Sequence, residues 1–404
     1  MNLWLARLGK VWSAMRSDGI VRGIARGLWS LPALFAYPKT ADILFVASGT
    51  GDSARYRCHH VAEFLRGHGF SVTVSVQGNI FLASYAERFS IVIFHRTSWI
   101  ASSQKLLKSL KLAGKTVVFD TDDLVFDASV IEASSVFSSM NKLERAQYRR
   151  GAGAEFVADS FVSIATTPTH FLAEKLRDQG KRVFVVRNRL CREDIRIADA
   201  VYHSKYIEDE NMTSSLVVNL QSPVVIGYFS GAKGHDRDFV GVADILADLL
   251  ARYNYLRLFL AGPLLIPEVL SKYSDRIIRS PYVPRAENFV NMSRVDITIA
   301  PLEIGDPFCE SKSELKFFEA GIVGVPIVAT ATDTFQRAIT DGDDGFLARS
   351  PQEWQEKLKR LILDVGYRRA MGVSAHKTAL EKYATAGVES EDERKYIDFL
   401  KEHI

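Results

Sequence analysis

The stretch Asp306–Ala329, DPFCESKSELKFFEAGIVGVPIVA, decides the fold because it joins a charged helical pattern to an apolar strand pattern. Ser311 and Glu314 have the spacing of a capping box, which predicts a helix that begins there. Lys312 and Lys316 are four residues apart and therefore share one helical face. A helix N-terminus that carries two ammonium groups suits a diphosphate. Periodicity alone describes an ordinary amphipathic helix with solvated charges at least as well.

Strand and helix patterns alternate on both sides of this stretch. The upstream strand patterns are ILFVAS (43–48), SVTVSV (71–76), FSIVIFH (89–95), KTVVFD (115–120) and RVFVVRN (182–188). A second series starts at Val224 and runs through VVIGYFSG, LRLFLAG, RIIRSPYV and VDITIAPL. Such alternation predicts parallel sheets built from βαβ units, in two Rossmann-like halves joined by the polar stretch 190–222. A ligand is then expected in the cleft, at the carboxyl ends of the strands.

Length and composition limit the class of protein. A chain of 404 residues is too long for one ordinary core and predicts two domains. Its three cysteines, Cys58, Cys191 and Cys309, are far apart, so they predict neither a disulfide framework nor a CxxC metal site, and the cytoplasm is the expected compartment. A net charge of +3 gives no reason to expect nucleic acid as a partner.

Positive charge concentrates in residues 1–37, which also hold three of the five tryptophans. The basic residues are Arg7, Lys10, Arg16, Arg22 and Arg26, and the tryptophans are Trp4, Trp12 and Trp29. No uninterrupted apolar run reaches the roughly 20 residues needed to span a bilayer. Basic residues mixed with Trp and Leu at helical spacing favour a helix that lies on an anionic membrane surface. A helix that packs on its own domain or on a partner fits the same pattern.

The motif Glu319-Ala320, followed by Gly324–Ala329 (GVPIVA), resembles the donor-binding segment of glycosyltransferase family 4 and its relatives in polysaccharide and O-antigen synthesis. Members often carry another glutamate eight positions before the one that matches Glu319. Here that position is Ser311, and Glu310 stands one residue earlier. The resemblance covers about 41–380 and is strongest over 224–350.

The resemblance implies an α/β protein of the GT-B fold, with two Rossmann-like domains facing across a cleft and a basic N-terminal helical segment. The expected parts are a basic amphipathic segment (1–40), an N-terminal Rossmann-like acceptor domain (41–200), a C-terminal nucleotide-sugar domain (201–382) and a helix crossing back to the N-terminal domain (383–404).

The resemblance also implies roles for residues of the opening stretch. Glu319 is expected to hold the ribose, and Glu310 to face the sugar as a catalytic residue. Lys312, as a second catalytic residue, is expected to hold the diphosphate with the backbone N–H groups near Ser313 and Leu315. Lys316 adds a further donor-binding cation.

Two further segments are expected at the donor. In GYFSGAKGHDRDF (227–239) the family places a cation near the leaving diphosphate, which implies donor binding by Ser230, Gly231, Lys233 and His235. His235 and Asp238 fit equally well as groups that cap or orient the next helix. Val283, in the loop after RIIRS, is expected near the nucleoside base.

The first half supplies the candidate acceptor residues. In SGTGDSARYRC (48–58), Gly51 lies in a glycine-containing loop expected at the donor phosphates or the acceptor, and Arg55 and Arg57 could hold an anionic acceptor group or be solvated. In FDTDDLVFD (119–127), oxygen ligands so spaced suit a hard cation, but Asp122 is expected in a cleft-facing turn near the acceptor. His95, at a strand end, is either acceptor-binding or structural.

The function that follows is sugar transfer from a nucleoside-diphosphate-sugar to a glycan or lipid-linked glycan, with retention of configuration, no bound metal and no cofactor besides the donor. A hexosyl- or deoxyhexosyltransferase held at the inner face of the cytoplasmic membrane is expected. Two alternatives stay open, namely a non-catalytic sugar-nucleotide or glycan-binding subunit of a polysaccharide assembly complex, and an NDP-sugar epimerase of GT-B type.

Overall fold

The computed structural model describes residues 32–127, 130, 145, 153–213, 223–231 and 236–404, except for the side chains of 205–213 and 236. Most of the basic segment 1–37 lies outside these residues. The chain forms two compact units. The first contains the chain up to Cys191, residues Ser311–Ser313 and residues Val388–Ile404, and the second contains Arg192–Glu310 and Glu314–Gly387.

The described elements up to Cys191 alternate between strands and helices. In chain order they are β1 (Ile43–Ala47), α1 (Asp52–Ala54), a π-helical turn (Arg55–His60), α2 (Val61–Gly67), β2 (Val72–Val76), α3 (Leu82–Tyr85), a 3₁₀ turn (Ala86–Arg88), β3 (Ile91–His95), α4 (Ala101–Leu112), β4 (Thr116–Asp120), α5 (Ala154–Ala158), β5 (Ile164–Thr167), α6 (His170–Asp178) and β6 (Arg182–Val185).

The same alternation continues through the rest of the chain. The described elements are α7 (Arg192–Thr213), β7 (Val224–Phe229), α8 (Asp236–Arg252), β8 (Leu256–Ala261), a 3₁₀ segment (Glu268–Arg276), β9 (Ile277–Ser280), α9 (Arg285–Ser293), β10 (Ile297–Ala300), α10 (Pro307–Glu310), α11 (Leu315–Gly321), β11 (Ile327–Thr330), α12 (Asp333–Ala338), β12 (Phe346–Ala348), α13 (Pro351–Leu363), α14 (Val365–Thr378), a π-helical turn (Ala379–Tyr383) and α15 (Glu391–Glu402).

The first unit is built on a parallel sheet in the order β2-β1-β3-β4-β5-β6. Its central strands are apolar on both faces, as expected of a parallel sheet covered by helices. Along β3, Val92 and Phe94 enter one core cluster, whereas Ile91 and Ile93 enter the cluster on the other face. Helix α15 packs in the second of these clusters, so residues from both ends of the described chain complete this unit.

The second unit contains another parallel sheet, in the order β12-β11-β10-β7-β8-β9. One core cluster combines the inner strands with α8 and α13. Both helices are amphipathic, because their apolar residues recur at helical spacing. The order reverses between β7 and β10, since β7 lies between β8 and β10. Ligands of doubly wound sheets bind beside the carboxyl ends of strands at such a reversal.

The polar stretch 190–222, which joins the two series of strands, contains a helix, since α7 (Arg192–Thr213) occupies most of it. One expectation about local structure is wrong. The helix expected to begin at Ser311 begins at Leu315, with Glu314 as an N-cap whose side chain makes no capping hydrogen bond. The Ser311 hydroxyl is engaged elsewhere, by Asp123 at 3.3 Å, and therefore does not cap the helix.

Candidate functional site

A chain of polar side chains lies at the carboxyl edge of the first sheet. Asp120, which ends β4, accepts hydrogen bonds from Arg57 Nε at 3.2 Å and Nη2 at 2.6 Å. Its Oδ1 lies 2.7 Å from Nδ1 of His95, which ends β3. Nε2 of His95 lies 2.8 Å from the Ser53 hydroxyl. The order Ser53–His95–Asp120–Arg57 fixes the imidazole between a carboxylate and a hydroxyl.

Arg57 is committed to the interior of the first unit. Its side chain has no exposed surface, and Nη1 donates to the Val186 carbonyl at 2.5 Å and to Asn188 Oδ1 at 3.2 Å. Burial alone raises the pKa of Asp120, but Arg57 and His95 favour the ionised carboxylate and hold the pKa below its usual value. Arg57 was expected to bind an anionic acceptor group or to be solvated. In this structure its guanidinium group is buried and already used to position Asp120.

Arg96 follows His95 in a left-handed backbone conformation, with φ 48°. Such a conformation costs a non-glycine residue about 1–2 kcal/mol. Arg96 Nη1 lies 3.1 Å from Asp122 Oδ1. Burial alone raises the pKa of Asp122, whereas Arg96 and His95 lower it well below its usual value. The aspartates 120 and 122, which also fit a metal site by sequence, are thus each paired with a cationic or imidazole side chain.

Residues 311–313 of the opening stretch group with the first unit. Asp123 lies 3.4 Å from the Lys312 ammonium and 3.3 Å from the Ser311 hydroxyl. Asn188 donates to the Ser313 hydroxyl at 3.0 Å. The Lys312 side chain is still 24% exposed, so its ammonium group is held by Asp123 but is not enclosed.

In the second unit, the carboxylate of Glu319 is held by a half-buried arginine. Arg285, the first residue of α9, places Nη1 2.5 Å from Glu319 Oε1. The same guanidinium contacts both carboxylate oxygens of Asp194, at 2.6 and 3.1 Å. The three side chains are between 5% and 13% exposed. Glu319 is therefore a buried carboxylate with a fixed orientation.

Lys316 lies one turn before Glu319 on α11. Its ammonium group donates to the carbonyl of Phe229, the last residue of β7, and lies 4.9 Å from the ring centre of Tyr228. Ser230 follows directly, is 5% exposed, and donates its N–H to Ala261 at 3.0 Å. Lys316 thus stands where β7 ends, beside the reversal of strand order.

Gly262 sets the position of the loop after β7. It has φ +91°, and a Cβ there would stand 2.0 Å from the Ser230 carbonyl oxygen. Only glycine allows both this backbone conformation and this close approach. Ser230 and the end of β8 are consequently packed backbone to backbone.

Glu310 ends α10 and interacts with backbone groups. Its Oε1 accepts from the Gly305 N–H at 3.2 Å and its Oε2 from the Asp333 N–H at 3.4 Å. Asp306 caps the same short helix by accepting from the N–H groups of Phe308 and Cys309. The carboxylate expected to face the sugar is therefore bonded in this structure to the loop before α10 and to the first residue of α12, both in its own unit.

The other residues expected at the donor or the acceptor do not belong to the groups of side chains described above. Gly51 is the exposed N-cap of α1, and Arg55 is a partly exposed residue whose guanidinium lies 3.3 Å from Asp52. Leu315 begins α11, Val283 is half-buried between β9 and α9, and Gly231 is exposed. Lys233 and His235 lie outside the described residues.

Sequence reasoning missed Arg285, Asp194 and Ser53. Arg285 is a single arginine in the segment PYVPRAENF, and its two carboxylate partners are 91 and 34 positions away. No local spacing could have shown those pairs. Ser53 lies in the glycine-containing loop of SGTGDSARYRC (48–58), and the position of this loop directly after a strand was the available signal.

Residues 224–364 match the family model described as Glycosyl transferases group 1. This segment covers most of the second unit, including Ser230, Arg285, Lys316 and Glu319. No curated protein sequence matches the chain significantly.

Solved structures of similar fold match the chain over 89% of its length. They include HepE of Anabaena in complex with UDP and glucose (15% identical, TM-score 0.58, 99% of that chain covered). They also include a glycosyltransferase from Rickettsia africae (12%, 0.59, 97%) and sucrose-phosphate synthase from Thermosynechococcus elongatus (12%, 0.57, 98%). The expected GT-B fold is confirmed, and the family match supports a glycosyltransferase.

Proposed function

We propose that this protein transfers a sugar from a nucleoside-diphosphate-sugar to a glycan or lipid-linked glycan acceptor, with retention of configuration and without a bound metal. The proposal depends on one observation: the carboxylate of Glu319 is buried and oriented by Arg285, within the segment that matches the glycosyltransferase family model. A fixed carboxylate suits the two hydroxyl groups of a ribose, because each oxygen can accept one of their hydrogen bonds. HepE, a structural neighbour, is known with UDP and glucose.

The donor is assigned to the second unit, at the carboxyl end of β7. Glu319 would bind the ribose, and Val283 would lie at the base. The diphosphate would contact Lys316 and the backbone of Ser230 and Gly231. Lys312, Lys233, His235, Ser313 and Leu315 keep their proposed donor roles, and Glu310 keeps its proposed place at the sugar.

The chemical demand on these residues is charge stabilisation. As the glycosidic bond breaks, negative charge develops on the departing phosphate, and ammonium groups and N–H groups already in place lower the barrier. The pairing of Asp120 with Arg57 and of Asp122 with Arg96 supports a mechanism without metal at these aspartates, since their charge is already balanced. His95, held by Asp120, is assigned with Asp122 and Arg55 to the acceptor side.

The first experiment is a thermal-shift screen of UDP-, GDP- and dTDP-sugars. A donor at 100 times its Kd stabilises the protein by about 2.7 kcal/mol. Slow hydrolysis of the binding donor is then measured without acceptor. We expect Glu319→Ala and Lys312→Ala to abolish hydrolysis, whereas Glu356→Ala and Lys359→Ala, at exposed positions of α13, leave it unchanged. Hydrolysis that survives Glu319→Ala contradicts the assignment.

A non-catalytic sugar-nucleotide or glycan-binding subunit is the second candidate. The contacts of Glu310 with Gly305 and Asp333 favour it, because they give this carboxylate a structural use. The same screen separates the two functions. A binding subunit shows the thermal shift but no hydrolysis and no transfer, whereas an epimerase forms the epimer of the donor without an acceptor.

We further propose that residues 1–37 hold the enzyme peripherally at the inner face of the cytoplasmic membrane, in polysaccharide or O-antigen synthesis. Within the described residues, no helix has the length and apolarity needed to cross a bilayer. Binding to anionic vesicles in a flotation assay, and its loss when 1–37 is deleted, are the expected results. Absence of vesicle binding, or unchanged binding after the deletion, overturns this proposal.

A further inference from the structure

A pocket of about 370 Å³ opens in the first unit, next to β1 and β3. Its walls include five buried apolar side chains, which are Leu34, Val46, Leu82, Phe94 and Leu106. Pockets of about 300–1,000 Å³ are large enough to bury small ligands. The walls by themselves therefore favour an apolar occupant.

The polar side chains of the lining strengthen this conclusion. Asn79 donates to the carbonyls of Ala33 and Ala36 and accepts from the Phe81 N–H. Gln77 is bonded in the same way to the backbone of Ser48 and Ser98.

Of the three hydroxyl side chains in the lining, Ser102 is exposed, whereas those of Thr97 and Ser103 are buried and engaged. Thr97 donates to the Val46 carbonyl at 3.1 Å, and Ser103 donates to the Ser98 carbonyl at 2.7 Å. A sugar needs several converging donors and acceptors, because each buried hydroxyl that loses water must regain a hydrogen bond. These four polar side chains are already used by the backbone around them, so the pocket favours hydrocarbon over sugar.

The rim of the pocket is apolar and exposed to water. Ile80 is 62% exposed and Phe35 is 55% exposed, and both line the pocket. Lys105 is exposed on α4, one residue before the lining residue Leu106. An apolar pocket with a lysine beside its lining is complementary to a hydrocarbon chain with an anionic headgroup.

We propose that this pocket binds the hydrocarbon chain of a lipid-linked acceptor with an anionic headgroup. The inference rests on the proposed function and narrows it, because it selects a lipid-linked glycan over a free glycan as the acceptor. Burial of the lipid's hydrocarbon chain against Val46, Phe94 and Leu106 supplies affinity, while the glycan of the acceptor stays outside the pocket.

The test compares dodecyl phosphate with butyl phosphate, two probes with one headgroup and different chains. Binding to the full-length protein is measured by isothermal titration calorimetry below the critical micelle concentration. Dodecyl phosphate should bind tighter by about tenfold or more, since each buried methylene group increases affinity several-fold. Ile80→Lys and Ala83→Trp, both at exposed positions of the lining, should remove this difference.

Leu112→Lys is the matched control, because Leu112 is 83% exposed in the same unit but does not line the pocket. This variant should keep the full preference for dodecyl phosphate. Equal affinities for the two probes in the unmodified protein overturn the proposal, as does a preference that Ile80→Lys and Ala83→Trp leave unchanged.

A different occupant is also distinguishable. If replacing Trp4, Trp12 and Trp29 by alanine in the full-length chain raises the affinity for dodecyl phosphate, the pocket holds the N-terminal segment, and the proposal fails. Donor binding in the thermal-shift screen is independent of all these variants. A normal thermal shift with the donor, together with equal affinities for dodecyl phosphate and butyl phosphate, therefore rejects the lipid pocket. The proposed glycosyltransferase function is not affected by that result.

Discussion

His95 Nδ1 and Asp120 Oδ1 lie 2.7 Å apart, and the two residues are register partners that end the neighbouring strands β3 and β4. Parallel pairing places the last residues of adjacent strands side by side, so the contact follows from the register itself. Arg57 completes the group by binding the same carboxylate. The ionised Asp120 thereby orients the imidazole ring toward Ser53.

Replacement of Asp120 by asparagine should destabilise the protein by about 3–5 kcal/mol, because it leaves the buried guanidinium of Arg57 without its counter-ion. Urea denaturation followed by circular dichroism measures this change. Asp52→Asn is the control, since the side chain of Asp52 is 51% exposed and its ion pair with Arg55 is worth about 1 kcal/mol or less. Equal effects of the two substitutions would contradict the structural role of the buried pair.

Replacement of Arg285 by methionine should weaken nucleotide binding by about tenfold, because a hydrogen bond to a charged group contributes about 1.5–3 kcal/mol. The loss should come from a misplaced Glu319 carboxylate. The preference for UDP over 2′-deoxy-UDP, measured by calorimetry, should therefore shrink in the same variant. Asp194→Asn should act in the same direction by loosening Arg285.

The control for this variant is Arg257→Met, at an exposed position on β8. It should leave both the UDP affinity and the preference for the 2′-hydroxyl as they are. An Arg285→Met protein with unchanged discrimination between the two nucleotides would show that Arg285 does not position Glu319.

Replacement of Gly262 by alanine should destabilise the second unit by about 2 kcal/mol or more, since the left-handed backbone and the clash with Ser230 both oppose it. Because the loop after β7 must then move, donor affinity should fall as well. Gly241→Ala is a matched control on α8, where a Cβ meets nothing within 4 Å. It should raise stability by about 0.5–1 kcal/mol. Thermal unfolding with and without donor distinguishes the two variants.

Stability should fall steeply in acid because of Glu393 in α15. Burial alone raises the pKa of Glu393, but Arg189 and Arg187 lower it from 4.5 to about 2. A carboxyl group with a lowered folded-state pKa stabilises the protein above pH 4.5, and this contribution disappears as the pH falls toward 2. The shift corresponds to a contribution on the order of 3 kcal/mol.

Urea denaturation between pH 2 and pH 7 measures this contribution. Glu393→Gln should be less stable than the unmodified protein at pH 7 and should lose less stability on acidification. Glu402→Gln, at an exposed position of the same helix, should behave like the unmodified protein. If Glu393→Gln retains the full acid dependence, another carboxylate is responsible.

The strands were predictable because their physical signal is local. The runs IVIF (91–94) and VVF (117–119) are apolar without interruption, as parallel strands buried on both faces must be. Strands β3 and β4 end directly after these runs, at His95 and Asp120. The helix after Ser311 was placed four residues too early, since capping spacing does not reveal that the hydroxyl binds Asp123 instead.

The site was only partly predictable for a related reason. Glu319 was found through its motif, but the group that orients it was not, because Arg285 and Asp194 come together only through the packing of α7 against α9. Arg57 was identified as a cation near a strand end, whereas its burial depends on Asp120, 63 positions later. Charge patterns along a chain do not distinguish a ligand-binding arginine from one paired inside the fold.

The placement of α15 in the first unit has a consequence for biosynthesis. The ribosome must finish the second unit before the residues from Val388 onward exist, and only then can Tyr396, Phe399 and Leu400 fill the core they share with β1. At translation rates of about 5–20 residues per second, the nascent first unit waits about 10–40 s for them. During this interval its unfilled apolar face is exposed and favours aggregation, whereas the second unit can fold as soon as it emerges.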